Sequence, residues 1–275
     1  MAISRLPARF GLTLLEVISV MLIVAILTAV LAPAVMSARE RARAQSCLNN
    51  LREIGIALNV FQSSKQSYPY GRLATKALNH SWATCVLPYL EQQQLYDSFE
   101  FSKKWNDAGL SRNYELAKTD VRLYHCPASG HSRVGIGDYG GNYGTLLTGL
   151  PAGFGPKQGW SSGVLLSISD RHPSIRKVAM DQIRDGLSST ILVAEDAGLD
   201  LGDTGFWANG NHNCSADSGP VNSNRSQEIF SDHPGGAHVV HCDGSTRFLS
   251  QNLDLKTLGA LCTRAQHELQ LSIDH

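Results

Sequence analysis

Hydrophobic residues run almost unbroken from Leu12 to Met36, and Glu16 is the only charged residue between Leu12 and Ala38. About 20 apolar residues suffice to cross a bilayer as a helix, so the pattern predicts a membrane-spanning helix over 12–36. Beyond it, Leu48, Leu51, Ile54, Leu58 and Phe61 recur at three- and four-residue spacing, with Arg52, Glu53 and Asn59 between them. That is the period of a helix with one apolar stripe. Leu12 to about Phe61 therefore reads as one helix bent at Pro33, roughly 75 Å long at 1.5 Å per residue. Its second part, 37–61, is amphipathic and packs its stripe against the body. Residues 63–71, Ser-Ser-Lys-Gln-Ser-Tyr-Pro-Tyr-Gly, are turn material that ends it.

The pattern changes downstream. Trp82, Val86, Leu90 and Tyr96 share a helical face over 82–99, with Pro88 limiting its regularity. From Tyr124 onward, short β-like runs are separated by glycine and proline: 163–167, 190–195, 237–242 and 246–249. The Gly- and Tyr-rich segment 135–144 reads as an ordered loop, and 254–269 as a terminal helix. The Asp243-Gly244 pair between the last two runs is the favoured two-residue hairpin turn, and Gly235-Gly236 permits an abrupt entry into the first of them.

Composition narrows the classes. The chain has 275 residues, a formal net charge of zero and dispersed basic residues, so no nucleic-acid partner is expected. High glycine with modest charge suits a loop-rich β body. The six cysteines (47, 85, 126, 214, 242 and 262) have no CxxC and no zinc-ribbon spacing. If the body is exported, disulfides are expected, and six cysteines allow fifteen full pairings. The preferred pairs are Cys214 with Cys242, which flank the final hairpin region, and Cys47 with Cys126, where the long helix meets the Cys126-Pro127 turn. Cys85 and Cys262 are left either paired or buried as thiols.

The start of the chain carries the sharpest signal. Arg5 and Arg9 precede Gly11, then Leu12-Thr13-Leu14-Leu15-Glu16 opens the apolar run. In a secretory signal the small-residue cleavage site follows the apolar region, which is then lost. Here the small residue comes first, so a cut after Gly11 leaves the helix on the mature chain with Leu12 at its terminus. The leading arginines favour a cytoplasmic N-terminal side, against competition from Arg39, Arg41 and Arg43. A carboxylate at this depth requires a partner.

This arrangement resembles the type IV prepilin leader, with Pro33 where pilins and pseudopilins place a helix-kinking proline and Leu12 where that family usually has Phe. The resemblance implies cleavage by a prepilin peptidase between Gly11 and Leu12. It also implies assembly with other pilin-like subunits, Glu16 facing the freed amine of a neighbour's first residue. The distal His233-Pro234-Gly235-Gly236-Ala237, followed by Asp243-Gly244-Ser245, resembles the H-x9-DG signature of prepilin-type, processing-associated proteins, a family of unknown function. Cys47-Leu-Asn-Asn, Cys126-Pro127, Asn142-Tyr143-Gly144 and the run from Asp185 to Glu195 agree in order. The resemblance implies an α+β, pilin-like fold: a long N-terminal helix laid on an antiparallel β-sheet with extended loops.

No catalytic constellation emerges. The chain has no Walker A, HExxH or GxSxG motif, and Gly135-Ile-Gly137-Asp138-Tyr139-Gly140 is followed by more glycines rather than a helix. His238 and His241 are three apart on a strand and face opposite ways, while His233 and Asp243 with Glu195 or Asp196 give too few ligands. No metal or cofactor is therefore assigned. Calcium is the alternative left open, through Asp196, Asp200, Asp203 and Asp217 and by resemblance to calcium-binding pseudopilins. The expected organisation is a leader (1–11), a transmembrane helix (12–36), its amphipathic continuation (37–61) and an extracytoplasmic body (62–275) with the hairpin at 233–244. The expected role is a non-enzymatic, single-pass inner-membrane protein of pilin or pseudopilin type, body outside the cytoplasm. The rival is a membrane-anchored extracytoplasmic binding protein that uses the leader only for export.

Overall fold

The structure is a computed structural model that describes residues 13–75, 78–109, 111–130, 134–145, 162–169, 177–197, 205–217 and 219–265. The chain divides into two compact units, residues 1–42 and 43–275. Helix α1, Leu14–Lys65, contributes to both and contains Pro33. The first unit's share of α1 is long and apolar enough to cross a membrane, and its apolar side chains from Leu14 to Met36 are exposed.

In the second unit the helix buries the expected stripe except at its start, where Leu48 is half-buried and Cys47 takes its place. Cys47, Leu51, Ile54, Leu58 and Phe61, at four- and three-residue steps, are enclosed in the core. Among the described residues the body has two sheets. A small one has the order β2–β1–β4, from β1 (Arg72–Ala74), β2 (Asn79–Ser81) and β4 (Ser167–Ser169). The larger has the order β6–β3–β5–β7–β8, from β3 (Tyr139–Thr145), β5 (Ile191–Glu195), β6 (Asn213–Ala216), β7 (Gly236–His241) and β8 (Thr246–Ser250). This is the expected α+β class, but the sheets are mixed rather than antiparallel, since β3 pairs parallel with β6 and β1 with β4.

Strand β5 lies at the centre; its apolar run Ile191–Ala194 is buried, as one covered on both faces should be, and so is Glu195 at its end. One core joins the α1 stripe to Leu192, Val193, Val240 and an aromatic group of Trp82, Tyr124 and Trp207; the other gathers Ile191, Ala194, Val239 and helix α5 (Leu255–Cys262). The α1 backbone approaches β7 closely: a Cβ on Gly55 would stand 2.7 Å from Val240.

Several sequence expectations change for identifiable reasons. The expected helix at 82–99 breaks into α2 (Trp82–Val86), a 3₁₀ turn (Leu87–Leu90) and α3 (Gln93–Ser98), because Pro88 donates no hydrogen bond and Glu91 adopts a left-handed conformation at φ 60°. A further short helix, α4, spans Asn113–Ala117. The expected loop at 135–144 mostly forms strand β3. Its glycines admit bulky neighbours, since a Cβ on Gly141 would meet the Trp82 indole at 2.8 Å. The run at 163–167 is not a strand throughout. Gly163 and Leu165 donate to carbonyls of Tyr143 and Asn142, and pairing begins only at Ser167. Asp254 caps α5 by accepting from the Thr257 N–H at 2.9 Å, and the helix ends at Cys262; the rest of its expected length, beyond Arg264 and Ala265, lies outside the described residues.

The β7–β8 hairpin has a three-residue loop, not a two-residue one. His241 N–H donates to Ser245 at 2.8 Å and Gly244 N–H to His241 at 2.9 Å, leaving Cys242, Asp243 and Gly244 in the loop. Gly244 takes φ +84°, the left-handed position that a three-residue hairpin loop requires of its last residue. At the other end of the hairpin a Cβ on Gly236 would fall 1.9 Å from the Leu249 carbonyl oxygen. Gly236→Ala should therefore destabilise the protein by about 3 kcal/mol, whereas Gly130→Ala, with nothing within 4 Å, should be near neutral. Urea unfolding of the full chain in detergent compares the two; equal stabilities would contradict the packing described.

Candidate functional site

Four segments distant in sequence converge beside the end of β5. Cys47 comes from the buried stripe of α1, and Cys126 follows a 3₁₀ turn at Arg122–Tyr124. Glu195 is the last residue of β5, and His233 precedes the turn into β7. All four are buried. Gly235, at φ +86°, supplies the left-handed residue of that turn.

The Cys126 segment is anchored on both sides. Tyr124 donates its hydroxyl to the Ala83 carbonyl at 2.8 Å. The buried Asp138 carboxylate accepts from the Cys126 N–H and the Ser129 hydroxyl, each at 2.8 Å. Asn50 on α1 donates to the His125 carbonyl at 2.7 Å, so helix and loop are joined one turn from Cys47. Within this frame Cys47 and Cys126 form a disulfide, with Cα atoms 5.1 Å apart.

Against the disulfide lies a buried carboxylate. Glu195 Oε1 is 3.4 Å from both His233 Nε2 and Cys126 Sγ, and His233 Nε2 is 3.3 Å from Cys126 Sγ. The other oxygen, Oε2, accepts the His238 backbone N–H at 2.7 Å and lies 3.1 Å from His238 Nδ1. The two imidazoles meet edge to face, with centroids 4.8 Å apart. Burial pushes the Glu195 carboxyl up, but the hydrogen bonds from His233 and His238 outweigh it and hold it at about 2. One potential donor atom from each of Cys47, Cys126, Glu195 and His233 falls within 4.8 Å of the others.

The other anticipated residues are placed elsewhere. Gly11 and Leu12 lie outside the described residues, as do Asp200 and Asp203. Glu16 forms a capping box with Thr13: Oε2 accepts the Thr13 N–H at 2.8 Å and its hydroxyl at 2.9 Å, while the Thr13 hydroxyl accepts the Glu16 N–H at 3.3 Å. The Thr-x-x-Glu spacing carries that signal. Asp243 does not meet His233. It is exposed, holds the loop by accepting from Ser245, and sits at the far end of β7, about 20 Å away along a strand of this length. Cys214 and Cys242 are not bonded to each other. Cys214 is on edge strand β6 and Cys242 follows β7, with β3 and β5 between, so both remain buried thiols. Asp196 is buried; its N–H donates to the Asp138 carbonyl at 2.8 Å, but neither carboxylate oxygen has a hydrogen-bond partner among the described residues. Burial and the nearby charges of Asp138 and Glu228 push its carboxyl well up. Asp217 accepts from the Ser215 hydroxyl. His238 and His241 do face apart: His238 meets Glu195, whereas neither ring nitrogen of His241 has a hydrogen-bond partner among the described residues.

The sequence reading missed His238 as the clamp on Glu195. The signal available was its register, opposite Glu195 on the neighbouring strand, which only the β5–β7 pairing defines.

These features define an α+β protein with an exposed apolar N-terminal helix and a buried Cys–Cys–Glu–His centre. The chain belongs to the family described as "Protein of unknown function (DUF1559)", whose model matches residues 36–226 and 200–256. Family and helix together fit a membrane-anchored, pilin-like protein. Neither a curated protein nor a solved structure matches the chain.

The disulfide closes a span of 79 residues. Replacing both cysteines with alanine should cost about 4.5 kcal/mol in urea unfolding, the chain-entropy value for a loop of this length; an unchanged midpoint would show that the crosslink does not stabilise the body. A pH dependence follows from His241 and His212. Burial, aided for His241 by the Arg247 charge, holds each at about 4, below an ordinary value of 6.5. Stability from keeping them neutral is present above pH 6.5 and is lost as pH falls towards 4. In unfolding curves over that window, His241→Leu should flatten the decline by about 1.4 kcal/mol per pH unit; a parallel curve would place the sensitivity elsewhere.

Proposed function

We propose that the protein is a pilin- or pseudopilin-like structural subunit, cut after Gly11 by a prepilin peptidase and packed through its N-terminal helix with other subunits. The observation that carries this reading is Glu16. It is the only charge from Leu12 to Ala38, and it stands at the N-terminal mouth of a helix whose apolar side chains are exposed. The capping box turns its carboxylate back towards the start of the chain, the side on which cleavage creates the Leu12 amine. A carboxylate in this setting is stabilised by a cation, and a neighbouring subunit's α-amine is a cation of the right depth. The apolar surface of the helix then packs against lipid first and against other helices on assembly.

The protein spans the inner membrane once, N-terminus in the cytoplasm and body outside. Arg5 and Arg9 support that orientation, and the Cys47–Cys126 disulfide supports an oxidising location for the body. Its role is assembly into a filament, pseudopilus or envelope array rather than catalysis.

Mass spectrometry of the protein from its native membrane should give a chain beginning at Leu12; an intact Met1 would overturn the processing step. Glu16→Ala should still be cut and membrane-bound but should lose subunit–subunit crosslinks at the N-terminal helices. Wild-type crosslinking in that variant would remove the amine pairing.

A further inference from the structure

We propose that Cys47, Cys126, Glu195 and His233 form a zinc site, closed while the cysteines are joined as a disulfide and available when they are thiols. The donor set is the first reason. Two thiolates, an imidazole nitrogen and a carboxylate oxygen are the ligand types of structural zinc, whereas calcium takes six or more oxygens.

Geometry is the second. Zinc bonds of about 2.0–2.3 Å at tetrahedral angles set ligand-to-ligand edges of roughly 3.3–3.8 Å. Three edges here are already of that length: Cys126 Sγ to Glu195 Oε1 at 3.4 Å, Cys126 Sγ to His233 Nε2 at 3.3 Å, and His233 Nε2 to Glu195 Oε1 at 3.4 Å. The Cys47 sulfur, within 4.8 Å of the other donors, supplies the fourth corner once it parts from Cys126. That adjustment is of the size a side-chain rotation provides.

The surroundings are the third. A disulfide is apolar and gains nothing from a fully buried carboxylate and imidazole beside it, and burying such a pair is costly. A metal centre uses both. The groups one layer out are those that orient ligands: the His238 backbone and ring on Glu195 Oε2, and Asp138 on the Cys126 N–H. With all four donors buried there is no open coordination position, so the site is structural. Zinc would join α1, the Cys126 loop, β5 and the entry to β7, so the body keeps its tie between helix and loop in either redox state.

The chemistry balances without an added oxidant. A newly made chain carries both cysteines as thiols; zinc displaces their two protons to water and binds the two thiolates. Starting from the disulfide, a phosphine supplies two electrons, takes an oxygen atom from water and leaves two thiols.

The test uses full-length protein in detergent, with zinc or cobalt as the probe. After anaerobic reduction by a phosphine and removal of excess reagent, the chain should hold about one zinc at saturation, and the untreated disulfide form should hold none above background. Cobalt in the reduced protein should give tetrahedral visible bands with thiolate-to-cobalt charge transfer, and Cys126→Ser should halve the latter. Glu195→Gln and His233→Asn should each weaken zinc by at least roughly tenfold to a hundredfold. Reduced wild-type protein that takes up no zinc, or a cobalt spectrum without thiolate charge transfer, would overturn the proposal. Neither of those outcomes depends on a variant folding.

Discussion

Cys47 belongs to the helical stripe that the sheet covers, and Cys126 to the loop that leads into strand β3. Joining them fixes where the part of the helix within the body, residues 43–65, lies on the sheet, and the rest of the body is arranged around that junction. Asn50 extends it one helical turn, Tyr124 and Asp138 hold the loop side, and Gly55 allows the helix to approach Val240. A helix with one apolar stripe can slide or rotate on a sheet at modest cost, because hydrophobic contact is not directional. A directional crosslink removes that freedom.

Glu195 adds a polar constraint at the same point. A carboxylate at the end of the most buried strand is tolerated because both oxygens are engaged, one near His233 and Cys126 and the other by His238. Such a group specifies register. A one-residue slip of β7 against β5 would turn His238 away and leave the charge without its hydrogen bonds. The histidines are thus tied to strand pairing as well as to the chemistry beside the disulfide.

The apolar part of α1 is governed by different physics. Its apolar side chains are exposed among the described residues, and the one charge is spent on the helix's own first turn through the Thr13–Glu16 capping box. The same residue therefore starts the helix. A membrane and neighbouring helices are the environments in which such a surface is stable.

Periodicity alone was enough to determine the helix, its change from all-round apolar to striped, and strands β5, β7 and β8, because these depend on neighbours three, four or two residues apart; the Thr13–Glu16 capping box was not read from the sequence, although its spacing carries it. The Cys47–Cys126 pairing was anticipated, but its position against Glu195 and His233 was not. Only the tertiary structure decided that Cys214 and Cys242 stay apart, since two strands are inserted between them, and that Asp243 closes a loop far from His233. The glycine-rich segment became strand β3 because Trp82 and Leu165 fill the space its missing side chains leave. The four-residue centre was hidden for the same reason: its members are 47, 126, 195 and 233 in the chain, and no local rule relates residues that meet only when a helix, a loop and two strands pack together.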